Sequence, residues 1–215
     1  MKMMGCVGIG ILVLMGIAAL LALVVGGQYN NLVGLSQGVD KQWAQVQNVY
    51  QRRADLIPNL VQTVSGAAHF EKSTLAEVVE ARAKVGQVRL GGEGAPADAA
   101  KLAEFQRAQD GLSSALSRLL VVVERYPDLK ANANFRDLQV QLEGTENRIS
   151  VERGRFNEVV QGYNTAVKRF PAVFVAGMLG FHPRAYFEAK AGAEEAPKVK
   201  FDFGGQGAAP APARP

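Results

Sequence analysis

Residues 29–64, YNNLVGLSQGVDKQWAQVQNVYQRRADLIPNLVQTV, decide the fold. Their apolar side chains recur at alternating steps of three and four. Leu32, Val39, Val46 and Leu60, continuing to Ala67, form one row, and Trp43, Tyr50, Ile57 and Val64 form the other. This spacing draws a seam along one side of a helix of about forty residues, and such a seam leaves water only by packing against other helices. Pro58 has no N–H and crowds the carbonyl four residues back, so a kink near Ala54 is expected within one helix rather than a break into two.

Downstream the same logic repeats. A short second helix is predicted after Ser73, where Thr74 and Glu77 have capping-box spacing, with Leu75, Val78, Val79 and Val85 turned inward. The run from Leu90 to Ala97 contains Gly91, Gly92, Gly94 and Pro96 and reads as a loop, and Asp98 can cap the helix that follows. That third helix carries Leu102, Phe105, Leu112, Leu116, Leu119, Val123 and Tyr126 and closes at Pro127. A last long helix, capped near Asn132, carries Phe135, Leu138, Leu142, Ile149, Phe156, Val159, Tyr163 and Phe170 before Pro171. No stretch alternates with period two for long enough to form a sheet. The expected fold is therefore all-α, an antiparallel up-and-down bundle of four helices in which the first and last are long. Pairing those two leaves a two-helix stalk near the membrane. The apolar run Phe170 to Phe181 is too short to span a bilayer, and is expected to pack on the stalk or rest at the lipid interface.

Upstream, no charged residue falls between Met3 and Gly27, and a dozen aliphatic residues from Val7 to Val25 fill the interval. That is long enough to span a bilayer. On the insertion scale the aliphatics contribute roughly −4 to −7 kcal/mol with no charge opposing them. A cleavable signal peptide has a shorter apolar core, about 7 to 15 residues, so residues 1–27 read as a tip and a transmembrane helix. The chain is accordingly expected to sit in the cell membrane as a single-pass protein. Lys2 with the amino terminus outweighs Lys41 beside Asp40, a small bias toward an inside tip that leaves the side of the helical domain open. Cys6 with Gly10, or Ala18 with Ala22, have the small-residue spacing that would allow a homo-oligomer through the anchor. Residues 28–190 then make up the bundle domain. Residues 191–215, rich in Ala, Pro and Gly with Val199, Phe201 and Phe203 as their large apolar residues, are a tail predicted to be disordered.

Composition narrows the chemistry. The chain has 215 residues, a net charge of +4 and one cysteine, Cys6, inside the anchor. A disulfide framework and a multi-cysteine metal site are both excluded. Its two histidines, His69 and His182, are far apart, so no catalytic zinc site is expected, and no cofactor either. His69 falls near the first turn, where a surface or capping role is the expectation. Gly92, Gly94 and Ala97 match a dinucleotide-loop spacing, but a helix pattern rather than a strand precedes them. The basic residues are interspersed with Asp and Glu and form no stripe with stacking aromatics, so no nucleic-acid partner is expected. What stands out are charges inside the apolar seam. Arg53 falls in the row of Leu32, Val39, Val46 and Leu60, and Glu152 falls in the matching row of the last helix. Each is costly to bury alone, so they are expected either to pair with each other across the long helices or to reach the bundle edge. Either arrangement would set helix register.

At these residues a family resemblance emerges. The string from Gln51 to Val61, QRRADLIPNLV, resembles a recognisable block of the LemA family of bacterial membrane proteins. A second block is similar to the family as well: LEGTENRI from Leu142 to Ile149, then Phe156, Asn157, Tyr163, Asn164 and the Arg169, Phe170, Pro171 triplet. Tyr29 with Asn30, Ala81 with Arg82, Gly180 with Phe181, and Tyr186 with Phe187 also look like it. After that proline this chain has Ala172 and Val173 where the family more often has Ala and Asn, so Val173 is the departure, and the Ala- and Pro-rich tail is long. The resemblance covers residues 28 to 190. It implies a short tip, one membrane helix and a helical-bundle domain, and names no reaction.

The function expected from these readings is that of a membrane-anchored scaffold or adaptor, without catalysis. Its partners would be the membrane lipid bilayer and an unidentified protein. Seven residues within the two blocks are candidates for either an interhelical hydrogen-bond network or a partner surface: Arg52, Asp55, Asn59, Glu146, Arg148, Asn157 and Asn164. A sensor coupling bilayer state to a partner is one alternative. An enzyme using inward-facing Arg53, Glu146 and Glu152 is another.

Overall fold

The computed structural model describes residues 2–66, 70–88 and 94–189, with backbone alone before Ile11. Ala67, His69, the Leu90 to Glu93 part of the predicted loop, the tail, and the small-residue face expected at Cys6 and Gly10 lie outside what is described. Among the described residues the elements are helices α1 (Lys2–Ser65), α2 (Lys72–Gln87), α3 (Ala99–Val123), α4 (Pro127–Ala131) and α5 (Ala133–Lys168), and no strand occurs.

The anchor and the first bundle helix, expected to meet at residues 27 and 28, are one element. α1 runs for 64 residues through Gly26, Gly27 and Pro58. At 1.5 Å per residue this is a rod of roughly 96 Å. From Ile11 to Val24 every side chain is exposed. This band of aliphatic side chains is long and apolar enough to cross a membrane.

Pro58 has a use within this unbroken helix. Its missing N–H leaves the Ala54 carbonyl without its intrahelical donor, and Arg82 Nε of α2 donates to that carbonyl at 3.1 Å. The proline thereby creates a docking point between α1 and α2. Arg82→Ala is expected to cost about 1 kcal/mol and to speed amide exchange in α2 while leaving α5 unaffected, as hydrogen-exchange mass spectrometry would show.

All eight described seam residues of α1, from Leu32 to Val64, are buried. They divide between two apolar clusters. The cluster nearer the anchor joins Leu32 to Tyr50 with Leu102 and Phe105 of α3, Ile149 to Val167 of α5, and Ala172, Ala176 and Phe187 beyond it. The far cluster joins Ile57 to Val64 with Val78 of α2, Leu112 to Val123 of α3, Leu129 of α4, and Phe135 to Leu142 of α5. α1 packs mainly on α5 and α2 mainly on α3.

Caps fall where their chemistry allows. Asp98 accepts from the Ala100 N–H at 2.8 Å and Asn132 from the Phe135 N–H at 3.3 Å, as the sequence predicts. α2 instead begins at Lys72, with Thr74 buried in its first turn and donating to Glu71 Oε2 at 3.3 Å, so the predicted start after Ser73 is late. Val79 is exposed because Val78, one step round the helix, takes the inward position. Val160 rather than Val159 is fully buried on α5. Pro127 opens α4 at its first position as well as following α3. Phe170, expected within the last helix, lies beyond α5 and is exposed.

Candidate functional site

Between the two apolar clusters lies a polar layer. Arg53 interrupts the α1 seam between Tyr50 and Ile57, Gln109 interrupts α3 between Phe105 and Leu112, and Thr145 and Glu146 interrupt α5 between Leu142 and Ile149. Three helices break their seams at one level, and the side chains meet there. Arg53, 1% exposed, donates through Nη1 to Glu146 Oε2 and to Ser113 Oγ, each at 2.7 Å. Its Nη2 donates to the Gln109 carbonyl at 3.3 Å and to Gln109 Oε1. Ser113 Oγ donates to the other Glu146 oxygen at 3.2 Å. The guanidinium also lies 5.3 Å from the centre of the Tyr50 ring, a cation–π contact. Burial pushes the Tyr50 phenol above its ordinary range while Arg153 and Arg53 pull it back. The Tyr50 hydroxyl and Arg53 Nε have no protein hydrogen-bond partner.

The predicted pairing of Arg53 with Glu152 is not the one found. Glu152 instead accepts from Gln42 Nε2 at 2.6 Å and from Arg155 Nη1 at 2.7 Å. The aromatic cluster explains the difference. Trp43 packs on Phe156, ring centres 5.5 Å apart, and fixes a register that brings residue 53 level with Glu146.

A second polar assembly holds the chain after α5. The segment from His182 to Glu188 has no helix or strand to satisfy its backbone, and carboxamides take over. Asn164 Nδ2 donates to the Arg184 carbonyl at 2.9 Å and its Oδ1 accepts from the Arg184 N–H at 2.8 Å. Asn157 grips Phe187 in the same way, with both bonds at 2.9 Å. Gln106 of α3 grips Glu188 at 2.8 and 3.3 Å. Each carboxamide presents a donor and an acceptor like a peptide group, so three side chains replace a strand. Arg153 adds a bond to the Glu188 carbonyl at 3.1 Å and lies over the Phe187 ring at 4.7 Å. The strap also closes the loop before α3. Arg184 donates to the Ala95 carbonyl, and Asp40 accepts from the Ala95 N–H at 2.8 Å. Gly94 is required there, since its φ is +95° and a β-carbon would lie 2.7 Å from Asp40 Oδ1. Asn164→Ala leaves two strap backbone groups unpaired at a partly buried site. A loss of about 1–2 kcal/mol and faster proteolysis between residues 182 and 188 are expected, with the α2–α3 pair unaffected.

The sequence candidates therefore separate. Arg53 and Glu146 meet in the layer, Asn157 and Asn164 clamp the strap, and Glu152 joins α1 to α5. Arg52, Asn59 and Arg148 are exposed, and Asp55, also exposed, accepts from Gln51 within α1 at 2.7 Å. Sequence reasoning missed Gln106, Gln109, Ser113, Asp40 and Arg184. For Gln109 the signal existed: it occupies the seam position between Phe105 and Leu112, as Arg53 does on α1. Among the described residues no group of three His, Cys, Asp or Glu side chains is placed to hold a metal ion.

Residues 42–201 match the LemA family. Magnetosome protein MamQ of Magnetospirillum gryphiswaldense is 25% identical over 178 residues, covering 76% of this chain and 65% of that protein. Magnetosome protein MamQ 1 of Paramagnetospirillum magneticum is 25% identical over 182 residues, with the same coverage. Protein LemA of Metamycoplasma hominis is 22% identical over 163 residues, covering 76% of this chain and 70% of that protein. The chain thus spans about two thirds of the length of these curated relatives, 65% for the MamQ proteins. The blocks that resemble the family supply Arg53 and Glu146 of the polar layer and Asn157 and Asn164 of the amide clamp, and on this match the chain belongs to the LemA family.

Proposed function

We propose that the protein is a single-pass scaffold of the cell membrane, holding a protein partner at a fixed distance and orientation from the bilayer. One observation carries this reading: a single unbroken helix, α1, holds both the apolar span and the seam on which α5 packs, so whatever binds the domain is tied rigidly to the membrane. Residues 28–190 are read as an antiparallel up-and-down bundle. In support, α5 partners run backward from Phe156 to Glu146 as α1 advances from Trp43 to Arg53. The interior supports holding over conversion. Its charged and amide groups largely satisfy one another: of the three groups a catalytic reading would need, Arg53 and Glu146 are each other's partners, and Glu152 accepts from Gln42 and Arg155. That leaves the outward faces for recognition, and Arg52, Asn59 and Arg148 lie there within the family blocks.

Site-specific photocrosslinking in intact membranes tests this. A photoreactive residue at Arg52, Asn59 or Arg148 is expected to give discrete adducts with another protein, and one at Lys101 on the α3 surface is expected to give none. Equal labelling from all four positions, or adducts with lipid alone, would refute a protein-binding face.

A further inference from the structure

We propose that the segment from Phe170 to Phe181 is a foot inserted into the interface of the bilayer, with Phe170, Val173, Phe174 and Met178 at the boundary of headgroups and acyl chains. The inference rests on the reading that α1 spans a membrane, and adds a second point of contact to it. Phe170, Phe174 and Met178 are 76, 71 and 88% exposed, and Val173 is also exposed. These are not the loose side chains of a mobile loop. Ala172 and Ala176, from the same turns, are buried in the cluster between α1 and α5, and the rings of Phe170 and Phe174 meet edge to face at 6.0 Å.

Position selects lipid as the occupant. The Phe181 ring meets the Tyr29 ring at 5.7 Å, and Phe170 borders the α1 surface that includes Gln28 and Asn31. Tyr29 follows the last aliphatic residue of the span, Val25, by four residues, roughly 6 Å of helix, which is headgroup depth. The foot is therefore level with the membrane surface on any placement that buries Val7 to Val25. Its backbone suits that depth, because local bonds satisfy much of it, among them Val173 N–H to Arg169 O at 2.9 Å, Leu179 N–H to Val175 O at 2.9 Å, and Phe181 N–H to Ala176 O at 2.9 Å. Charge agrees. No acidic residue lies between Glu158 and Glu188, or between the span and Asp40, while Lys168 and Arg169 adjoin the foot and can meet lipid phosphates. Two contacts with one leaflet would fix the tilt and rotation of the rod, which a lone span leaves free.

The test uses the full chain in phosphatidylcholine vesicles with and without bromine on the upper part of the acyl chains. Trp43 is the native tryptophan, buried and roughly 27 Å along the helix from Val25, so its emission is expected to be unaffected by bromine. Phe174→Trp adds emission that is expected to fall by at least half in brominated vesicles. Unquenched added emission overturns the foot, whether its maximum is that of a water-exposed ring or the shorter wavelength of a ring covered by protein or a second copy. Leu20→Trp separates the two claims. If it is quenched while Phe174→Trp is not, the foot alone fails; if neither is quenched, the spanning reading fails as well.

Discussion

Replacing Arg53 with alanine is expected to lower the melting temperature of the detergent-solubilised protein by about 6–12 °C, corresponding to a loss of about 3 kcal/mol. Removing one member of a buried ion pair costs about 3–5 kcal/mol where the other charge is stranded. Here Glu146 is 49% exposed at its side chain and can rehydrate, which places the loss at the low end. Gln109 and Ser113 lose their donor at the same time. The reciprocal change should be milder: Glu146→Gln keeps an acceptor for Arg53 at a half-exposed position and is expected to cost about 1 kcal/mol. The asymmetry is the informative readout in circular dichroism melts. Equal losses, or a loss below 1 kcal/mol for Arg53→Ala, would mean that the layer does not hold α1, α3 and α5 in register.

Trp43→Ala is expected to have a still larger effect, about 3–5 kcal/mol, because a large ring leaves a cavity that three elements share. Trp43 is 2% exposed, with ring centres of Phe105 at 5.7 Å, Phe156 at 5.5 Å and Phe187 at 6.0 Å. Those partners lie on α3, on α5 and on the strap. The variant should therefore loosen the strap as well as the bundle, with faster amide exchange from His182 to Glu188. Trp43→Phe keeps a ring in the site and is expected to lose less than half as much. A strap still protected in Trp43→Ala would show that the carboxamides hold it unaided.

The α1 seam was legible because a helix buries one face over many turns, and the repeat of seven survives in Leu32 to Val64 without help from partners. The caps at Asp98 and Asn132 were legible for the same local reason. Arg53 stood out as a charge in that seam, yet its partner did not. Which carboxylate it meets depends on the sliding register of α1 on α5, which Trp43 and Phe156 settle, and no spacing within either helix encodes it. The strap was illegible because an extended segment paired with side-chain amides has neither period two nor period 3.6. Asn157, Asn164 and Gln106 look like surface polar residues on a helix until the strap is laid against them. The exposed row of the foot was visible as an apolar run. That it turns Ala172 and Ala176 inward and Phe174 and Met178 outward depends on where the chain leaves α5.

Holding a partner at a set orientation requires that the span and the bundle move as one body, and Gly26–Gly27 is where a hinge would form, each glycine weakening the helix by about 1 kcal/mol relative to alanine. Hydrogen exchange on the full chain in vesicles measures this directly. Amides of residues 11–25 should be shielded by lipid, and those of residues 26–35 should exchange as slowly as the seam from Val39 to Ile57. Exchange of residues 26–35 within seconds, between two protected stretches, would show an anchor and a bundle joined by a flexible link and would contradict a rigid membrane-bound scaffold.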